Sequence, residues 1–188
     1  MKLNIGSGNV VKEGYTNIDL YICRKGDIKW NLFNGLPPEV ETSTVEHIIA
    51  SHIFEHIPET YYMFNKRMQE LVEIKSRIKL MDDCYRVLEN GGQLEIWTPH
   101  RYDPCMYTDP THVWYMDMDT LDQFCVNPND ESKLYFEDYI KDYEYDLGKK
   151  YSGRFKKVLC EGINHADNPY YMQPIPTQIH WVLEAIKE

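Results

Sequence analysis

The stretch Lys2-Leu3-Asn4-Ile5-Gly6-Ser7-Gly8-Asn9-Val10-Val11-Lys12-Glu13-Gly14-Tyr15-Thr16-Asn17-Ile18-Asp19-Leu20 decides the fold. Its first apolar run, residues 2–5, stops at Gly6-Ser7-Gly8-Asn9, which reads as a buried strand entering a tight glycine turn. After a loop with Gly14, residues 15–20 read as a second strand. Glycine at 6 and 8 leaves the backbone bare, so a ligand can approach closely and positive φ is cheap. Asp19 stands near the end of the second strand, where a carboxylate can accept from both hydroxyls of a ribose. A dinucleotide site asks for a third glycine and an acid about twenty positions on. Here Val11 stands three residues after Gly8, and Asp19 follows Gly6 by only thirteen. The pyrophosphate-cradling helix is missing or very short, which points to a nucleoside ligand without a diphosphate.

Outward from there, residues 27–32 predict a short third strand before the breaker Gly35-Leu36-Pro37-Pro38. Val45-Glu46-His47-Ile48-Ile49-Ala50-Ser51 suits a central strand. Phe64, Met68, Leu71, Ile74, Ile78, Met81, Tyr85 and Leu88 recur every three or four residues and predict one long helix. Asn90-Gly91-Gly92 supplies its left-handed cap. Residues 93–98 alternate as a fifth strand closed by Pro99. Residues 155–160 predict another strand, and residues 179–186 a strand or a short helix. Strands alternating with helical stretches imply a mostly parallel sheet with helices on its faces.

A chain of 188 residues fits one domain, here residues 1–188, and 43% hydrophobic residues suffice for a core. No apolar run approaches the roughly 18 residues of a membrane span, and the N-terminus lacks a signal-peptide pattern. The expectation is a cytoplasmic protein without membrane contact. Cys23, Cys84, Cys105, Cys125 and Cys160 are scattered, with no CxxC pair, and read as free thiols. The net charge of −10 argues against nucleic acid as a partner. The nearest basic group, Lys149, Lys150, Arg154, Lys156 and Lys157, follows a strongly acidic segment. A small molecule is the expected acceptor, and a homo-oligomer remains open.

Four ordered motifs carry a family resemblance. They are Leu3-Asn4-Ile5-Gly6-Ser7-Gly8, Gly14-Tyr15-Thr16-Asn17-Ile18-Asp19-Leu20, Ile48-Ile49-Ala50-Ser51-His52-Ile53-Phe54-Glu55-His56-Ile57 and Cys84-Tyr85-Arg86-Val87-Leu88-Glu89-Asn90-Gly91-Gly92. Residues 2–100 thereby resemble the class I S-adenosylmethionine-dependent methyltransferases of type 11, in a shortened branch where the first strand passes almost directly into the second. Asp109-Pro110-Thr111-His112 is also similar to this branch. The resemblance implies a Rossmann-like α/β fold, a three-layer α/β/α arrangement with a mostly parallel sheet. It also implies an antiparallel final strand and a helical insertion or lid over about residues 102–153.

The resemblance also implies site roles for S-adenosylmethionine. Gly6 and Gly8, with Asn4 and Ile5 before them, would pass under the methionine part. Asp19, with Leu20 beside it, would hold the ribose. Asn31 and Leu32 would flank the adenine, and Ser51, with His52, would lie beneath the sulfonium. Asn4 and Asn31 depart from a pattern in which many members carry acids, so the charge-assisted strength of a carboxylate is lost there.

Methyl transfer to a hydroxyl needs alignment, water exclusion and a base for the departing proton. His52, His100, His112 and Asp109 are the candidate catalytic residues, expected together above the sheet's carboxyl edge. His52, Glu55 and His56 have a spacing that can hold a divalent ion, but structural capping is the preferred reading and no metal is assigned. The aromatics Tyr102, Tyr107, Trp114, Tyr115, Tyr135, Phe136, Tyr139, Tyr143 and Tyr145 either shape an acceptor lid or pack the insertion. The expected activity is methylation of oxygen or nitrogen on a small molecule. The alternative is a nucleoside-binding domain without catalysis.

Overall fold

The computed structural model describes residues 1–21, 24–65, 69–135, 144–146, 149–163 and 176–187. Its central sheet has seven strands: β1 (Lys2–Ile5), β2 (Thr16–Asp19), β3 (Ile28–Lys29), β4 (Val45–Ser51), β5 (Leu88–Pro99), β6 (Phe155–Ile163) and β7 (Gln178–Ala185). The spatial order is β6-β7-β5-β4-β1-β2-β3. Strands β3, β2, β1, β4 and β5 pair in parallel. Strand β7 runs antiparallel to both β5 and β6, so the strand reading of residues 179–186 holds.

Side-chain alternation divides the sheet into two unlike faces. On one face Leu3, Ile5, Ile48, Leu94, Ile96 and Trp181 are fully buried, in register across β1, β4, β5 and β7. They belong to one cluster with Leu80, Met81, Cys84 and Val87 of helix α1 (Ser76–Val87). The other face is polar and carries Asn4, Asn17, His47, Glu95, Trp97 and His180. There Glu95 lies 3.3 Å from both His47 and His180, and the His180 ring stacks on Trp97 with centroids 3.8 Å apart. Among the described residues no helix lies between β1 and β2 or between β2 and β3. The sheet is the expected one, and among the described residues its helical covering is thinner than three full layers.

The long helix expected from Phe64 to Leu88 is shorter. Tyr61–Asn65 and Glu70–Ile74 form an antiparallel hairpin, and only then does α1 begin. Phe64 pairs with Leu71 across the hairpin, and the two are 53% and 68% exposed, so these two positions of the apolar stripe do not face the core, although Ile74 is buried. Met68 lies outside the described residues. Nor do Gly91 and Gly92 cap α1, because Leu88 is already extended and starts β5. They lie in a bulge where the register jumps from Val45↔Leu88 to His47↔Gln93. A Cβ on Gly92 would stand 2.9 Å from the Val45 carbonyl.

In its described residues the segment after β5 is not the helical insertion expected. Its described parts hold a single helical turn, α2 (Cys105–Thr108), a 3-10 turn (Asp122–Phe124) and two small hairpins. The cause is local. Asp103, Asp109, Asp117, Asn127 and Asp130 each accept from the backbone N–H two residues on, a turn that competes with helix. Trp114 is buried against Phe54, whereas Tyr102, Tyr107, Tyr115 and Tyr135 are exposed. Phe136, Tyr139 and Tyr143, and the side chain of Tyr145, lie outside the described residues. In the basic group, Lys156 pairs with Glu131 and Lys157 with Asp122. Cys84, Cys105, Cys125 and Cys160 are free thiols, and Cys23 is outside the described residues. No helix among the described residues is long and apolar enough to cross a membrane.

Candidate functional site

The chain builds β1, β2 and β3 toward one rim and then returns to place β4 on the other side of β1. Open sheets bind ligands outside the carboxyl ends of the strands where the order reverses in this way. A hollow of about 410 Å³ opens there, within the size range of small-molecule sites. Gly6 forms its floor after β1, and Asp19, Leu20 and Tyr21 line it from the end of β2. Trp30 to Phe33 follow from the end of β3, and His52, Ile53 and His56 from the end of β4. Thr111 enters from the segment beyond β5.

Gly6 is required twice over. Its φ is +63°, and a Cβ would meet Ile53 carbons at 2.5 and 2.6 Å. Gly8 has φ +49°, and a Cβ there would find nothing within 4 Å, so only its conformation favours glycine. Asp19 is held against this bend. Its Oδ2 accepts from Gly8 N at 2.9 Å and its Oδ1 from Tyr21 N at 2.8 Å. These two backbone donors fix the carboxylate's orientation at the rim.

Asn31 accepts from Phe33 N at 3.0 Å and so caps the 3-10 turn Leu32–Asn34. This turn is why the third strand stops at Lys29 instead of reaching Leu32. His52 adopts φ +53°, an uncommon conformation for a residue with a side chain. Its Nδ1 lies 3.2 Å from Oε1 of Glu55, a fully buried carboxylate whose Oε2 accepts from Thr98 at 3.1 Å. The Glu55 hydrogen bond raises the His52 pKa above its ordinary 6.5, partly offset by burial. Acting as a base therefore demands a pH above that raised value.

Six of the residues expected at the cofactor, Gly6, Asp19, Leu20, Asn31, Leu32 and His52, thus share one hollow. Others stand apart from its lining. Asn4 is buried and donates to Val10 O and Asn17 Oδ1, both at 2.9 Å. Ile5 belongs to the core, Gly8 meets the hollow only through Asp19, and Ser51 is exposed at the end of β4. His100 is buried, its Nδ1 accepting from Tyr102 N at 3.2 Å, and burial lowers its pKa. It is not grouped with His52. Asp109 and His112 adjoin the hollow through Thr111 and His56. Tyr21, Trp30, Phe33, Ile53, His56 and Thr111 were not anticipated as lining residues. For Trp30 and Phe33 the signal was their adjacency to Asn31 and Leu32.

The whole architecture recurs in solved structures. Over 99% of this chain and 82% of the other, it matches a chain of the Haloferax volcanii complex between the Trm112 methyltransferase activator and a methyltransferase. The TM-score is 0.54 and the identity 10%. It also matches an S-adenosylmethionine-dependent methyltransferase from Archaeoglobus fulgidus, over 97% of this chain and 85% of that one, with TM-score 0.53 and 14% identity. The chain has the methyltransferase fold. No family model and no curated protein matches its sequence. Within the methyltransferase fold, the short β1–β2 connection places Gly6 and Asp19 at adjoining strand ends, and the hollow lies at their carboxyl edge.

Proposed function

We propose that this chain is an S-adenosylmethionine-dependent methyltransferase acting on oxygen or nitrogen of a small-molecule acceptor. One observation carries the reading: the Asp19 carboxylate is fastened to the Gly6–Gly8 bend at the rim of the switch-point hollow. A ribose diol fits such a carboxylate, and the bare backbone at Gly6 admits the amino-acid part of the cofactor. Leu32, Asn31 and Phe33 offer an apolar slot with one amide for the adenine. The methyl carbon leaves the sulfonium with the bonding pair kept by sulfur, and a lone pair of the acceptor forms the new bond. The acceptor's proton leaves to a base. Of the four candidates His52, His100, His112 and Asp109, His52 lines the hollow, with Glu55 holding its Nδ1 and Nε2 as the atom that takes the proton.

Calorimetry with S-adenosylhomocysteine tests the reading. The protein binds it in a one-to-one complex, and Asp19→Ala weakens binding about 10- to 100-fold, the worth of a charge-assisted hydrogen bond. Unchanged affinity in Asp19→Ala removes this carboxylate from the site. Binding without turnover across an acceptor panel favours a nucleoside-binding domain that performs no transfer.

A further inference from the structure

We propose that Glu55, His56 and His112 form a binding site for one divalent transition-metal ion at the edge of the hollow. One ligating atom from each residue lies within 4.8 Å of the other two. This convergence is built by the backbone. The 3-10 turn Phe54–His56 sets Glu55 beside His56. The Glu55 carbonyl then accepts from Val113 N at 2.8 Å and Trp114 N at 3.0 Å, which pins the chain next to His112. The two imidazole rings meet edge to face, with centroids 4.7 Å apart.

The surroundings of each ring leave a nitrogen for coordination. Thr111 has a single hydroxyl proton and donates it to Asp109 Oδ1. Its Oγ1, 2.9 Å from His56 Nδ1, must then accept from that nitrogen, so the bare nitrogen of a neutral His56 is Nε2. His112 Nε2 faces Asp109 Oδ2 at 3.8 Å, while its Nδ1 is buried without a hydrogen-bond partner among the described residues. An outer partner that fixes a ring's tautomer, as Thr111 does for His56, is the usual company of a metal-bound histidine. Thr111 and Asp109 come from one turn, residues 109–111. The third ligand, Glu55, is a fully buried carboxylate, and Thr98 and His52 leave each of its oxygens a second lone pair.

Two imidazoles and one carboxylate favour zinc, cobalt, iron or manganese over magnesium or calcium, which seek all-oxygen shells. Three protein ligands leave at least one coordination position open. His56 and Thr111 line the hollow, so that position borders the space given above to methyl transfer. Resting on that reading, the acceptor atom is oxygen. A hydroxyl bound to the ion gives up its proton to the base already named, His52 Nε2, and the resulting oxygenate attacks the methyl carbon as the carbon–sulfur bond breaks.

The test uses the whole chain, stripped with a chelator and then titrated with Co(II) by visible absorption and with Zn(II) by calorimetry. One equivalent of Co(II) develops the d–d bands of a four- or five-coordinate nitrogen–oxygen site. His56→Ala and His112→Gln, each with an unchanged far-ultraviolet spectrum, weaken Zn(II) by about 100-fold or more, and Asp109→Asn by about 10-fold. Absence of saturable uptake, or uptake indifferent to His56→Ala and His112→Gln, overturns the site. Binding of S-adenosylhomocysteine to the stripped protein separates the two readings. If it binds and metal does not, only the metal site falls. If metal binds and it does not, the methyl-transfer reading falls and the metal site stands.

Discussion

Gly6 and Gly8 share one turn and one sign of φ, yet their neighbours make them unequal. An alanine at 6 meets both the left-handed penalty and the Ile53 side chain, for a loss of about 2–4 kcal/mol, while Gly8→Ala meets only the first, about 1–2 kcal/mol. Urea midpoints of the two variants measure the difference, and equal losses would show that Ile53 moves aside freely. His47 and His100 set a pH limit by the same kind of local accounting. Burial is the largest influence on each and lowers its pKa below 6.5. The stability that belongs to the neutral rings is complete above 6.5 and is lost as the pH falls through the depressed values. NMR titration should give both rings midpoints below 6.5, and a midpoint at or above 6.5 for His47 contradicts the burial argument. At this scale the sequence revealed residues whose meaning is local. The glycine bend and Asp19 are close in the chain, and their types alone suggest a ribose site. His56 and Thr111 were invisible as lining residues because their meeting depends on backbone bonds from Val113 and Trp114 to Glu55, far along the chain.

Among the elements, β7 shows how much one strand can hold. Ile179, Trp181, Leu183 and Ala185 alternate as buried residues, and Trp181 is the largest side chain with no exposure. Trp181→Ala leaves a cavity between β5 and β6 and should cost about 3–5 kcal/mol in denaturant melts. A cost below about 1 kcal/mol would mean that the sheet collapses into the space. The strands were legible wherever β-branched and apolar residues alternated, as in residues 45–51 and 93–98. The helix was misjudged at Phe64 and over residues 70–74 because Phe64, Leu71 and Ile74 satisfy a helical period by chance. Their pairing in a hairpin, with Gln69 at φ +58° in its turn, obeys a period of two instead. Tertiary context decides between such periods, and a single sequence does not contain it.

Across the whole molecule, the sheet's order and its antiparallel seventh strand agree with the resemblance drawn from the first hundred residues. The described residues of the segment beyond them were read too helically, since composition alone hides how Asp and Asn side chains bind the next turn. If the hollow is the cofactor site, occupancy stabilises the entire fold. At a concentration 100 times its dissociation constant, S-adenosylhomocysteine should add about 2.7 kcal/mol, seen as a rise in melting temperature. Asp19→Ala, binding about 10- to 100-fold more weakly, should keep only about 0.4–1.4 kcal/mol of it at the same concentration. A shift of equal size in Asp19→Ala would place the ligand elsewhere.

The brief connectors near the N-terminus also bear on how the chain reaches this state. Residues 6–15 join β1 to β2 and residues 20–27 join β2 to β3, whereas residues 52–87 separate β4 from β5. Closing a loop costs entropy that rises with the logarithm of its length, so the first two closures are the least expensive among the parallel pairings. Domains emerge from the ribosome N-terminus first. The bend and the carboxylate fastened to it can therefore meet while the rest of the polypeptide is still being translated.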